Sequence, residues 1–199
     1  EPKKVEEYAN KLAKGVQTAS LIKRNKAQAN FNLAKLNPSL QKWINAFDTK
    51  DGGNNQAPKF PIPNTYQFLL HYNHYAQNEK ISQHLELSLK KMACGGIYDQ
   101  IGGGFARYST DMEWKVPHFE KMLYDNALLL ELLSKSYQVY KDNTYLEKAY
   151  STAAFLKDHM YRPGKAYISS LNADVDGKEG KIYTWKKSTL KKIITTDYD

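Results

Sequence analysis

His118, Glu120, Lys121, Tyr124 and Asp125 fall within ten residues, PHFEKMLYDN, from Pro117 to Asn126. An imidazole beside carboxylates is the usual equipment of general acid–base catalysis, because its proton affinity lies near neutral pH and a carboxylate can orient it. Pro117 is read as the opening of a helix running to about Tyr140. On that helix His118, Lys121 and Asp125 stand at i, i+3 and i+7 and share one face, while Glu120 and Tyr124 share the neighbouring one. His118 would then sit among the free N–H groups of a helix start. Such a polar face on a leucine-rich helix is costly to bury unless its groups pair or border a cavity.

The preceding residues, from Gly95, supply further chemistry. Asp99 is a third carboxylate, and Arg107 and Tyr108 could fix hydroxyl groups. Trp114 and Tyr98 are aromatic rings that could stack on a ligand. Connections of this length are uncommon in compact domains and are usually functional or disordered. Disorder conflicts with the density of aromatic residues, so residues 95–126 read as an ordered loop feeding a buried helix.

The elements that must hold this loop are mostly helical. Val5, Tyr8, Leu12, Val16 and Ala19 mark an amphipathic helix over residues 3 to about 24. Asn37-Pro38 is read as the cap and first turn of a second helix. After the Pro/Gly-rich stretch 52–63, Asn64 with Gln67 suggests a capping box for a third. A fourth runs through Ile81, Leu85, Leu89 and Met92 to a stop at Gly95. Thr110 and Glu113 are expected to cap a single turn, and Thr144 with Glu147 the helix behind Tyr140. Residues 166–171 and 181–185 read as strands of a small hairpin around NADVDGKEG, followed by a short helix at 187–194. The fold class expected is mainly α, with antiparallel helix pairs and one β-hairpin insert.

Composition narrows the function. The net charge is +8, yet only Arg24, Arg107 and Arg162 are arginines and the lysines are scattered. Nucleic-acid footprints cluster on one face and favour Arg, so no nucleic-acid partner is expected. No apolar run approaches the roughly 20 residues a membrane span needs. A single Cys94 excludes an internal disulfide and suits the cytoplasm. The glycines at 95–96 and 102–104 match no phosphate loop. Asn172, Asp174 and Asp176 imitate a calcium loop, but Tyr183 stands where the bidentate Glu belongs. Neither a metal nor a cofactor is expected. His71, His74 and His84 are read as exposed or core-edge histidines.

Four stretches carry a resemblance: 57–63 (APKFPIP), 95–105 (GGIYDQIGGGF), 107–126 (RYSTDMEWKVPHFEKMLYDN) and 172–185 (NADVDGKEGKIYTW). Together they resemble the spermatogenesis-associated protein 20-like family, which joins a thioredoxin-like domain to an (α/α)6, six-hairpin barrel. The resemblance implies an interdomain helix over residues 1–30. It also implies the N-terminal half of the barrel, about three hairpins, over 31–199. The thioredoxin-like domain and the C-terminal half of the barrel are then absent from this chain, so the uncovered helices are expected either to self-associate or to be covered by the missing half. The family's barrel resembles those of sugar epimerases and six-hairpin glycosidases, which implies a sugar or glycan ligand at the mouth formed by residues 95–125.

Two readings follow. In the first, His118 is an acid/base oriented by Asp125 or Asp99, with Glu120 as a further catalytic carboxylate. Arg107, Tyr108, Trp114, Tyr98, Lys121 and Tyr124 would then bind the sugar of an epimerase, isomerase or hydrolase. In the second, the same residues form a polar network that pins the loop, and the barrel is a non-catalytic glycan- or protein-binding scaffold.

Overall fold

The computed structural model describes residues 2–22, 26, 28 and 32–194. The chain divides into two compact units, Glu1–Asn37 and Pro38–Asp199. In the first unit, α1 (Pro2–Ser20) has the expected apolar stripe, but none of its residues is buried. Residues 23 and 24 of the expected helix lie outside the described residues, as do residues 25, 27 and 29–31. A 3-10 turn at Leu33–Leu36 is capped by Asn32, whose side chain accepts from the Ala34 N–H at 2.9 Å. The turn runs directly into α2 (Asn37–Asn45), so Asn37 is helical rather than the expected cap.

In the second unit, α3 (Pro63–Ala76) and α4 (Glu79–Cys94) are joined by two residues, as are α5 (Leu123–Tyr140) and α6 (Asn143–Phe155). Links this short force each pair to run antiparallel. Gln77 and Lys141 end α3 and α5 in the left-handed conformation, each N–H closing on the carbonyl four residues back. α5 packs on both α3 and α6. It buries Leu129, Leu132 and Leu133 between them, each contributing about 2 kcal/mol of apolar burial.

The helix starts differ from expectation. Gln67 does not cap α3; its amide reaches the Glu131 carboxylate on α5 at 3.3 Å. Asp142, not Thr144, caps α6, accepting from the Thr144 N–H at 2.8 Å. Among the three histidines, His84 is a core residue, stacked face to face on Phe47 at 3.4 Å.

The strand expectation also needs correction. Residues 170–171 form β4 but pair with β3 (Lys121–Met122), not with 181–185. The hairpin lies inside the expected loop: β5 (Asp174–Val175) pairs with β6 (Lys178–Glu179). Asp176 and Gly177 turn between them, both at positive φ, the conformation a two-residue Asp-Gly turn favours. α7 (Lys187–Ile193) follows.

Candidate functional site at the 95–126 loop

The long connection is two nested hairpins. The inner one closes where the Ala106 N–H meets the Ile97 carbonyl at 2.8 Å and the Asp99 N–H meets Gly104 at 2.9 Å. The outer one pairs β1 (Tyr108–Ser109) with β2 (Pro117–His118), and the Arg107 N–H donates to the Glu120 carbonyl at 2.8 Å. Asp111 organises its tip by accepting from the N–H groups of Glu113, Lys115 and Val116; Thr110 and Glu113 form no capped turn of their own. Gly96 is required because a Cβ there would overlap the Lys115 carbonyl.

Helix α5 therefore starts at Leu123, and His118 and Lys121 precede it in extended chain. The shared helix face of His118, Lys121 and Asp125 does not exist. In extended chain successive side chains alternate sides. Pro117, Phe119 and Lys121 line one cavity, while His118 and Arg107 both meet Glu120.

The side holding His118 is open and polar. His118 Nδ1 lies 2.7 Å from Glu179 Oε1, and its Nε2 3.8 Å from Glu120 Oε2. Arg107 donates to the same Glu120 oxygen at 3.3 Å. Tyr108 packs on the imidazole at 4.9 Å and on Phe60 at 4.8 Å. The His118 side chain is 27% exposed and that of Glu179 50%. Tyr124, half exposed, and then Glu120 strengthen the hold of Arg107 on its charge. Asp125, in the first turn of α5, is buried, and its Oδ2 has no hydrogen-bond partner among the described residues. Burial pushes its carboxyl above the usual range, against the pull of Arg107.

The side holding Lys121 is closed. Lys121 donates to Asp99 Oδ2 and to the Gly103 carbonyl, both at 2.8 Å. Its ammonium lies 4.6 Å from the Phe155 ring and 4.9 Å from that of Tyr183. Burial lowers the lysine's proton affinity, though Asp99 opposes the shift. Burial alone would raise Asp99; the bond from Lys121 and the Gly102 and Ile101 N–H groups hold it below the usual range.

Two expected sugar-stacking residues are elsewhere. Trp114 is completely buried, donates its indole N–H to the Asp51 carbonyl at 2.9 Å and closes against Gly53. Tyr98 is 1% exposed and packs edge-on to Phe105. Neither ring offers a free face to a ligand.

Sequence reasoning missed three anchors. Lys59, in the stretch APKFPIP, is fully buried and bonds Asp48 at 2.5 Å and the Gly52 carbonyl at 2.6 Å. Asn126 grips Phe105, accepting from its N–H at 2.7 Å and donating to its carbonyl at 3.0 Å. Glu179 reaches His118 from the distant hairpin, which no local spacing could signal. The signal available for the first two was a lysine and an amide inside stretches otherwise apolar or Gly-rich. The other three stretches that carry the resemblance thus each meet the stretch 107–126: Lys59 pairs its backbone with Ser109, the Ile97 N–H donates to the Trp114 carbonyl, and Gly180 closes on Phe119.

No family model matches the sequence. The chain is 35% identical over 168 residues to spermatogenesis-associated protein 20 from Homo sapiens and 34% identical over 165 residues to that from Rattus norvegicus. These matches cover 79% and 78% of the chain and 21% of each relative. Among solved structures it is similar to a sugar epimerase from a ruminal bacterium, with TM-score 0.56, 19% identity, and 70% of this chain against 39% of that one. The cellobiose 2-epimerase of Spirochaeta thermophila gives 0.58, at 19% identity over 67% of this chain and 36% of that one. At such identities the likeness is one of fold. The chain spans about a fifth of the length of the curated relatives it matches. By fold it is similar to part of a helical α/α barrel, and by sequence it belongs to the spermatogenesis-associated protein 20 family.

Proposed function

We propose that this chain supplies part of a carbohydrate-active barrel that moves a proton on a sugar, as an epimerase or isomerase does, with His118 as the acid/base. One observation carries the reading: His118 Nδ1 is held at 2.7 Å by Glu179, while Nε2 stands 3.8 Å from Glu120, beyond hydrogen-bond distance, on a side chain that is partly exposed. A carboxylate on Nδ1 fixes the tautomer, so Nε2 can take a proton from the carbon beside a sugar carbonyl, and Glu179 stabilises the imidazolium formed. Arg107 is the nearby cation for the oxyanion that develops. Asp125, whose proton affinity burial raises and which feels the charges of Arg107 and Glu120, is the group assigned to return a proton. The titles of the similar structures, sugar epimerase and cellobiose 2-epimerase, agree with this class.

Hydrolysis fits less well. A glycosidase needs two carboxylates flanking one bond, whereas Glu179 is bonded to the His118 imidazole and Glu120 to the Arg107 guanidinium. A second reading, a non-catalytic glycan- or protein-binding scaffold, draws on the mutual bonding of Arg107, Glu120, His118 and Glu179. In either reading, α1 (Pro2–Ser20) serves as an interdomain helix.

The test is a screen of free sugars and sugar phosphates for turnover by the full-length protein, repeated with His118→Ala. Turnover that falls about a hundredfold supports the assignment. Undiminished turnover removes His118 from the mechanism, and glycan binding without turnover favours the scaffold.

A further inference from the structure

Across the strand from His118 lies a cavity of about 590 Å³, within the size range of small-molecule sites. Ile97, Pro117, Phe119, Ile182, Tyr183 and Trp185 are among the residues that line it. The Phe119 and Tyr183 rings stand parallel, 5.5 Å between centroids and 6° between planes. Ile101, Val116, Ile182 and Trp185, which border it, are each more than half exposed. So many large apolar side chains around one opening are unusual for a surface that meets only water.

The charged groups of the cavity are already committed. Lys121 is bonded to Asp99 and Gly103, and Asp99 also accepts from Ile101 and Gly102. Lys115 at the rim is paired with Glu113. An ionic ligand would be desolvated there without a free counter-charge, which is costly. A flat apolar molecule would instead gain ring contacts and lose little.

We infer that this cavity is a binding site for a neutral, planar, polycyclic aromatic molecule, separate from the His118 centre. The ligand lies against the Trp185 and Tyr183 side of the cavity. The segment from Glu179 to Trp185 forms that side. Two contacts near Phe119 hold it: the Phe119–Tyr183 ring pair, and Gly180, whose missing Cβ lets the Phe119 ring approach.

The experiment uses the full-length protein labelled with 5-fluorotryptophan, the Trp185 signal being assigned with Trp185→Phe. The probes are 2-naphthol, 2-naphthoate (the same rings with a charge) and glucose. A saturable shift of the Trp185 resonance is expected with 2-naphthol, with binding at least about tenfold weaker for 2-naphthoate and none for glucose. Ile182→Asp, a change at an exposed rim position, should weaken 2-naphthol about tenfold while leaving the circular dichroism spectrum unchanged. The proposal is overturned if 2-naphthol gives no saturable shift, if the charged probe binds as well, or if Ile182→Asp binds normally. It is equally overturned if Trp185 is shielded from solvent before any ligand is added, since another part of the protein then fills the cavity. None of these readouts depends on turnover, so the His118 assignment stands or falls separately.

Discussion

The strand from Pro117 to Lys121 divides two kinds of ion pair. On one side Lys121 and Asp99 are enclosed, with side chains 4% and 19% exposed, and every partner is a fixed part of the loop. On the other, Arg107, Glu120, His118 and Glu179 keep a quarter to a half of their side-chain surface in solvent. The enclosed pair cannot exchange partners without leaving a charge buried, so it holds the fold. The open group can exchange them cheaply, which is what a proton-transfer centre requires. Lys59 with Asp48 repeats the enclosed pattern at the base of the loop.

That contrast is broken most severely at Lys59. Lys59→Ala strands Asp48 without its ammonium and should cost about 3 to 5 kcal/mol, read as a lower urea midpoint. Lys121→Ala strands Asp99 and should cost nearly as much, about 3 kcal/mol. In both cases substituting the acid as well should recover part of the loss.

A pH titration sharpens the same contrast. Burial, opposed by Asp48, holds the His84 imidazole down to about 4, against an ordinary value near 6.5. The folded state keeps the neutral ring, so this contribution is complete above about pH 6.5 and is lost as pH falls toward 4. A loss of roughly 2 to 3 kcal/mol is expected across that window, and His84→Leu should remove the slope. Asp125 has the opposite sign. Its folded carboxyl is raised, so ionisation weakens the fold as pH climbs through that value, and Asp125→Asn should give a small gain in stability at neutral pH but none at pH 3. Smallest of all is the open group: Glu179→Gln should change stability by less than about 1 kcal/mol.

Much of the scaffold was legible from the chain alone. The 3.6-residue spacing of Ile81, Leu85, Leu89 and Met92 placed α4, and the nearly all-apolar middle of α5 signalled a helix covered by others. The start of α5 was misplaced because Pro117 resembles a first helical residue, while the competing signal, pairing with Tyr108 and Ser109, is non-local. That error put His118 and Lys121 on one face when the chain sends them to opposite sides. Trp114 was read as a ligand platform because an aromatic in a glycine-rich loop carries no mark of its burial; Gly53 and the Asp51 carbonyl, sixty residues back, decide it. Glu179 escaped notice for the same reason of distance.

The division between a holding side and a reacting side is tested most directly by solvent exchange. The full-length protein, incubated with free sugars in D₂O, should place deuterium on the carbon beside the carbonyl. His118→Ala should slow that exchange about a hundredfold while its unfolding free energy from urea titration stays within about 1 kcal/mol of the parent. Exchange that persists at the parent rate in His118→Ala, or a variant that unfolds as readily as Lys59→Ala, would contradict the account.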